Sequence, residues 1–141
     1  MSITLRLSAA VGAGAALGSV ARHLATLALQ VPGGMGFPWG TLAVNVSGSA
    51  LIGLLAAWAA RPGRAPVPAE LRFFALAGFC GGFTTFSIFS LETLLMLERG
   101  ATGQAVVHAG VSLALWMLAV WIGAVLGARM GPAVAKPPEA R

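Results

Sequence analysis

Residues 78–90 read GFCGGFTTFSIFS and lie inside an apolar stretch that is long enough to cross a membrane. The pair Gly81–Gly82 is unfavourable inside a helix, because glycine loses more conformational freedom on folding than any other residue. We therefore expect the helix to break here and to restart with Thr84 or Thr85 as its N-cap. Broken backbone at membrane depth is tolerated only where it is buried in protein or lines a polar cavity. Carbonyl groups freed between Gly81 and Thr84 would be available to bind a cation.

Two phenylalanines follow the expected break. Phe86 and Phe89 are three residues apart and share one helix face, and Ser87 and Ser90 form a neighbouring row. A phenylalanine ring is negative on its faces and positive at its edge. Ring edges directed into a pore would favour an anion, ring faces would favour a cation, and rings that line no pore would be ordinary core. The hydroxyls and the adjacent break favour an ion path over core packing.

The composition of the 141-residue chain places this stretch in a membrane protein. Hydrophobic residues make up 57% of the chain and charged residues only 9%, against about 25% charged residues in soluble domains. A helical span needs about 20 mostly apolar residues, and four stretches qualify, at about 5–30, 38–60, 71–98 and 104–128. The sequence predicts one all-α membrane domain over 1–128 and a polar tail over 129–141. A cleaved signal peptide is disfavoured because three further spans follow the first.

Spans 2 and 4 carry polar residues on shared helix faces. Thr41, Asn45 and Ser49 are spaced by four residues, as are His108 and Ser112. An amide in hydrocarbon must face protein or water. Asn45 therefore forms either a structural hydrogen bond between helices or part of a hydrogen-bonding row along a permeation path.

Two charged residues stand well inside the spans. Arg22 follows Gly14 and Gly18, a pair of small residues that lets two helices approach closely. The arginine either faces protein or water, or extends to the membrane interface. Glu92 is the most deeply embedded acid, and we interpret it as a gate, a proton site or a charge partner of Arg22.

Basic residues are distributed unequally between the two ends of the spans. With both termini on one side, the opposite side holds only Arg99. The termini side holds Arg6, Arg61, Arg64, Arg72, Arg129, Lys136 and Arg141. The positive-inside rule then places both termini and the 61–70 loop in the cytoplasm.

The run GFCGGFTTFSIFSLE at 78–92 resembles the third-span motif of the Fluc/CrcB family of fluoride channels, a glycine pair followed by Thr-Thr-Phe-Ser-x-Phe-Ser and then Glu. GTLAVNVSG at 40–48 is similar to the second-span motif of that family, and span 1 agrees more loosely through Gly14, Gly18 and Arg22. The resemblance covers all four spans. Departures from the pattern are Ala15, Ala50 and Ile88, where the family often has a glycine, an aromatic residue and a threonine.

The resemblance implies a channel that exports fluoride passively across the cell inner membrane and relieves fluoride toxicity. It also implies an antiparallel, dual-topology dimer of four-helix subunits with two pores. Phe86 and Phe89 would turn ring edges toward the anion. Donors would come from Asn45, Thr41, Ser112 and His108, the last at a place where the family often has a tyrosine. A structural sodium ion would lie at the dimer centre, bound by backbone carbonyls of Gly81 and Thr84.

The basic bias of the chain bears on its partner. A chain that inserts in both orientations should show little bias in Lys and Arg, so the dimer is formed either with a second copy or with an oppositely oriented paralogous subunit. Besides this partner, the expected partners are fluoride and the lipid bilayer, and no nucleic acid.

Three other functions compete with the channel. A small proton-coupled multidrug or cation exporter has a similar size, but it needs a carboxylate in span 1, where this chain has Arg22. An enzyme is not expected, because a chain without Asp, with two His and with one Cys offers few catalytic constellations. A non-conducting structural subunit would use the broken helix only for packing.

Overall fold

The computed structural model describes residues 2–29, 36–62 and 65–130, and all regular secondary structure within them is helical. Helix α1 covers Ile3–Ala28 and α2 covers Trp39–Ala59. The third span is composite and consists of α3 (Ala69–Arg72), a π-helix (Phe73–Cys80), α4 (Gly81–Phe83) and α5 (Phe86–Glu98). Helix α6 covers Thr102–Arg129.

Four helical runs are long and apolar enough to cross a membrane: Ile3–Ala28, Trp39–Ala59, Ala69–Glu98 and Thr102–Arg129. The prediction of an all-α protein with four membrane spans is confirmed. Of the predicted tail, Arg129 still belongs to α6, and residues 131–141 lie outside the described part of the chain. The same holds for residues 31–35 of the first loop and for Arg64.

Small residues let the spans pack at short range. Helix α2 packs most extensively against α6, and α1 packs against the π-helix and α4. A Cβ atom on Gly123 of α6 would lie 2.9 Å from the backbone carbon of Ala50 and 3.0 Å from the nitrogen of Leu54, both in α2. Backbones that approach this closely gain van der Waals contact, which drives helix association in membranes.

A Gly123→Ala substitution is expected to destabilise the fold by about 2 kcal/mol, the scale of overpacking in a close-packed interior. Gly110→Ala on the same helix is the matched control. A Cβ atom there meets nothing within 4 Å, and alanine favours a helix over glycine by about 1 kcal/mol. Thermal unfolding of both variants in detergent tests this difference, and equal midpoints would contradict the packing argument.

The third span breaks slightly later than expected. Gly81 and Gly82 remain helical, whereas Thr84 (φ −84°, ψ 160°) and Thr85 (φ −149°, ψ 123°) are extended. Thr85 is the N-cap of α5, and its hydroxyl accepts a hydrogen bond from Ile88 N at 3.2 Å. The predicted break is confirmed, but its placement at the glycine pair is wrong. Gly82 serves close packing instead, because a Cβ atom there would lie 2.9 Å from Ala15 Cα in α1.

The π-helix Phe73–Cys80 is a feature that the sequence analysis does not predict. It lies where the span packs against α1. A Cβ atom on Gly78 would lie 2.9 Å from Gly14 Cα. π-Helical turns are rare and are frequently found at functional sites. The predicted close-packing role of Gly14 and Gly18 is confirmed, since both are buried against this composite span.

Candidate functional site

Asn45 of α2 bridges the broken backbone of the third span. Its side chain is 4% exposed, its Nδ2 donates to the Thr85 carbonyl at 2.8 Å, and its Oδ1 accepts from Thr85 N at 2.7 Å. The backbone N–H of Thr85 can only donate, so the atom that faces it must be the amide oxygen. Asn45 thus makes a structural hydrogen bond between helices, one of its two predicted roles. Its other predicted role, as a hydrogen-bond donor to an ion, stays a prediction. The second hydrogen on Nδ2 could make that bond.

This bridge frees a carbonyl group in α4. In a continuous helix, the N–H of Thr85 would donate to the carbonyl of Gly81, four residues earlier. Here it donates to Asn45, and the last helical bond before the break runs from Thr84 N to the Cys80 carbonyl at 3.0 Å. Gly81 is exposed on the surface of the subunit, with nothing within 4 Å of its Cβ position. Its carbonyl has therefore lost its helical donor at an outer face.

The chemistry of the break suits a hard cation better than a soft metal. No group of three or more His, Cys, Asp or Glu that could hold a metal is found within residues 2–29, 36–62 and 65–130. Oxygen atoms are the ligands that hard cations prefer, and the break supplies backbone oxygens. The assignment of sodium to Gly81 and Thr84 stays a prediction, and one subunit supplies only two such carbonyls.

The two phenylalanines after the break have different surroundings. Their ring centroids are 5.5 Å apart, but Phe86 is 67% exposed and Phe89 only 6%. Phe89 packs against His108 at 4.9 Å and meets Trp116 edge to face at 4.8 Å. The aromatic pair therefore runs from the outer surface of the subunit to a core that it shares with α6.

Helix α6 places a row of unpaired polar groups against Phe89. His108, Ser112 and Trp116 are spaced by four residues, and each has buried polar atoms without a hydrogen-bond partner. His108 and Ser112 are both 0% exposed. Buried polar groups are nearly always hydrogen-bonded, so unsatisfied ones require an explanation. Here a ligand that accepts hydrogen bonds would satisfy them. The sequence analysis does not single out Trp116, although its spacing of four residues from Ser112 could have identified it.

Glu92 lies at one end of this row. Thr41 Oγ1 donates to Glu92 Oε1 at 2.7 Å, while Glu92 Oε2 stands 3.8 Å from His108 Nε2 without a hydrogen bond. No ion pair between Glu92 and Arg22 forms among the residues that the structure describes. Of the three roles predicted for Glu92, the gate and the proton site stay predictions, and the structure places Thr41 and His108 rather than Arg22 beside the carboxylate. Arg22 is half-buried, and its Nε has no hydrogen-bond partner.

Three cavities connect these residues. The mouth cavity, of about 420 Å³, is lined by Thr41, Glu92 and Arg99 among others. The arginine cavity, of about 240 Å³, shares Thr41 with it and is also lined by Arg22 and Thr85. The break cavity, of about 260 Å³, shares Thr85. Further residues lining the break cavity are Asn45, Ser49, Cys80, Gly81, Phe86 and Trp116. Neighbouring cavities thus share either Thr41 or Thr85 as a lining residue.

Comparison with known proteins shows which family and which relatives this chain is similar to. The family described as "CrcB-like protein, Camphor Resistance (CrcB)" matches residues 9–124. The chain is 44% identical over 124 residues to "Fluoride-specific ion channel FluC 1" of Rhodopseudomonas palustris, covering 88% of each chain. It is 48% identical over 117 residues to "Fluoride-specific ion channel FluC" of Rhizobium meliloti, covering 82% of this chain and 91% of the relative. A protein of the same name from Agrobacterium fabrum is 46% identical over 119 residues, covering 84% and 94%.

Proposed function

Because this chain belongs to the CrcB family, we propose that it is a fluoride-specific ion channel, through which fluoride leaves the cell passively. The names of its relatives support this function. The observation that carries it in the molecule itself is the contact of the Phe86–Phe89 pair with the unpaired donors of α6.

The site can replace the hydrogen bonds that an anion loses when it leaves water. Fluoride is strongly hydrated, so a narrow pore must replace water by hydrogen-bond donors and positive ring edges. Ser112 Oγ, Trp116 Nε1 and one ring nitrogen of His108 can donate, and none has a hydrogen-bond partner within the described part of the chain. The ring of Phe89 contacts His108 and Trp116 of this row. Residues 84–90 contain no carboxylate that would repel an anion.

The pathway requires a second subunit. Phe86 is largely exposed in one subunit, and an exposed ring cannot exclude water from an anion. A second copy, or an oppositely oriented paralogous subunit, that packs against Phe86 and Gly81 would close the pore. It would also bring two further carbonyls, from its own break, to a sodium ion held by Gly81 and Thr84. The positive charge of the sodium ion would attract the partially negative carbonyl oxygens at the contact between the two subunits. The positive-inside rule further favours cytoplasmic termini in an inner membrane.

Electrogenic efflux from liposomes that contain only the purified chain tests this function. Fluoride should leave rapidly once valinomycin allows potassium to follow, and chloride should leave much more slowly. Efflux from a single purified chain would establish that a homodimer suffices. In vesicles prepared without sodium, flux should fall if the cation supports the dimer. A folded chain that carries no fluoride would overturn the homodimeric channel, and co-purification of a second small membrane protein would then test the paired form.

The exporter alternative predicts a different result in the same vesicles. A proton-coupled exporter would move organic cations against a proton gradient and would need a carboxylate in α1, where the described residues have none. Fluoride efflux without an imposed proton gradient would exclude it.

A further inference from the structure

The ring nitrogens of His108 and the Oε2 atom of Glu92 are buried without a hydrogen-bond partner among the described residues, and the proposed pathway assigns no role to the contact between these two side chains. His108 is 0% exposed, and neither of its ring nitrogens makes a hydrogen bond. Glu92 Oε2 is also buried without a partner and stands 3.8 Å from His108 Nε2. A shift of about 1 Å would bring these atoms to the 2.7–2.9 Å of a charge-assisted hydrogen bond. One proton between them would satisfy both groups at once.

Among the described residues with a ring or charge contact to His108, only Glu92 is titratable. The segment before α2 contributes Phe37, whose ring meets the imidazole edge to face at 5.4 Å. Helix α5 contributes Phe89 and Glu92, with Arg99 farther out in the mouth cavity, where its Nε donates to the Leu95 carbonyl. The other charged or titratable groups nearby are Arg22 and His23 of α1, which line the arginine cavity on the other side of Thr41. Helix α2 contributes the neutral Thr41 to the mouth cavity.

We propose that His108 and Glu92 together bind one exchangeable proton, and that this proton increases fluoride flux by cancelling the negative charge of Glu92 at the pathway. This inference rests on the proposed function. Without the proton, Glu92 is an anion at the end of the donor row and repels fluoride. With the proton, the pair is neutral overall, whether as imidazolium and carboxylate or as imidazole and carboxylic acid. The proton comes from the bulk solution through the mouth cavity, and no other group is consumed.

The pH profile of valinomycin-dependent fluoride efflux tests this proton site, with the same pH on both sides of the membrane. Flux through the wild-type chain is expected to rise about tenfold between about pH 8 and about pH 5.5, the range in which histidine changes its charge. Protein-free vesicles at each pH remove the contribution of hydrogen fluoride that crosses the lipid. His108→Gln should lose the pH dependence. Glu92→Gln keeps the acceptor for Thr41 but not the charge, so its flux should be flat and higher at pH 8 than that of the wild type.

The chain supplies its own control, because it contains only two histidines. His23 is exposed on α1, and His23→Gln should keep the pH profile of the wild type. The same variant leaves a single imidazole, whose ¹⁵N shifts can be titrated in lipid. Glu92→Gln in that background should move the His108 titration to lower pH.

The possible outcomes separate the two proposals. Three results would each overturn the proton site without contradicting the channel. The first is a fluoride flux that does not change with pH, and the second is a His108→Gln variant that keeps the pH profile of the wild type. The third is a His108 titration that Glu92→Gln does not shift. The absence of flux at every pH from folded protein would instead overturn the channel, and the proton site with it.

Discussion

Replacing Phe86 by isoleucine is expected to reduce fluoride flux on the order of 30-fold or more while the subunit still folds. The ring is 67% exposed in one subunit, so its loss removes little packing within the chain. In the closed pore, its positive edge would face a desolvated anion. A desolvated cation over a ring face gains about 2 kcal/mol or more; we take the same magnitude for an anion at the positive ring edge, and each 1.36 kcal/mol changes a rate tenfold.

Phe73→Ile is the matched control for this substitution. Phe73 lies in the π-helix of the same span and is 46% exposed, but it lines none of the three cavities. Efflux from liposomes, normalised to the amount of folded protein, compares the two variants. If Phe86→Ile conducted as fast as Phe73→Ile, the ring of Phe86 would have no part in permeation. Phe89→Ile is less informative, because this ring is also core packing against His108 and Trp116.

Asn45→Leu is expected to destabilise the subunit by about 3 kcal/mol, because it leaves two buried backbone groups of Thr85 without partners. The N–H and the carbonyl of Thr85 bond to the same amide at 2.7 and 2.8 Å. No helical partner can replace it, since Thr85 is extended. Flux should fall at least tenfold as well, since the position of Phe86 depends on the break. Leucine keeps the four side-chain heavy atoms and the branch point of asparagine but removes both hydrogen-bonding groups, and its larger methyl groups add an overpacking cost to the loss.

Ser47→Ala provides the comparison on the same helix. The Ser47 hydroxyl donates to the Ala43 carbonyl of its own helix at 2.6 Å and lies on the exposed side of α2. Its removal should leave both stability and flux close to those of the wild type. Thermal unfolding in detergent and efflux from liposomes measure the two properties. An Asn45→Leu variant as stable as Ser47→Ala would contradict the role of the amide as the bridge.

The features that follow from local rules could be predicted from the sequence. Length and hydropathy place the four spans, and the run around Thr84 and Thr85 predicts a break with a threonine cap, because these rules involve only neighbours along the chain. The position of the break depends on tertiary contacts. Gly82 stays helical because it packs against Ala15, and the partner of Thr85 comes from a different span.

In the candidate site, too, the local patterns could be predicted from the sequence, but the contacts between helices could not. The rows Thr41–Asn45 and His108–Ser112 follow from helical spacing, and the structure brings both beside α5. The distance of 3.8 Å between Glu92 and His108 could not be read from the sequence, because residues on α5 and α6 meet only through the packing of the two helices. Sequence reasoning offered a charge pair with Arg22, by opposite charge alone, as one of three roles for Glu92. The π-helix lacks a sequence signal, since its residues would also suit an α-helix.

The bridge between Asn45 and Thr85 also bears on how the protein is made. Helix α5 has 13 residues, fewer than the roughly 20 that a helix needs to cross the hydrocarbon core alone. The third span must therefore enter the membrane as one unit, with unpaired backbone groups in its middle. Because α2 precedes the third span along the chain, Asn45 leaves the ribosome before Thr85. The order of the helices in the gene thus means that the partner of the break is synthesised before the break itself.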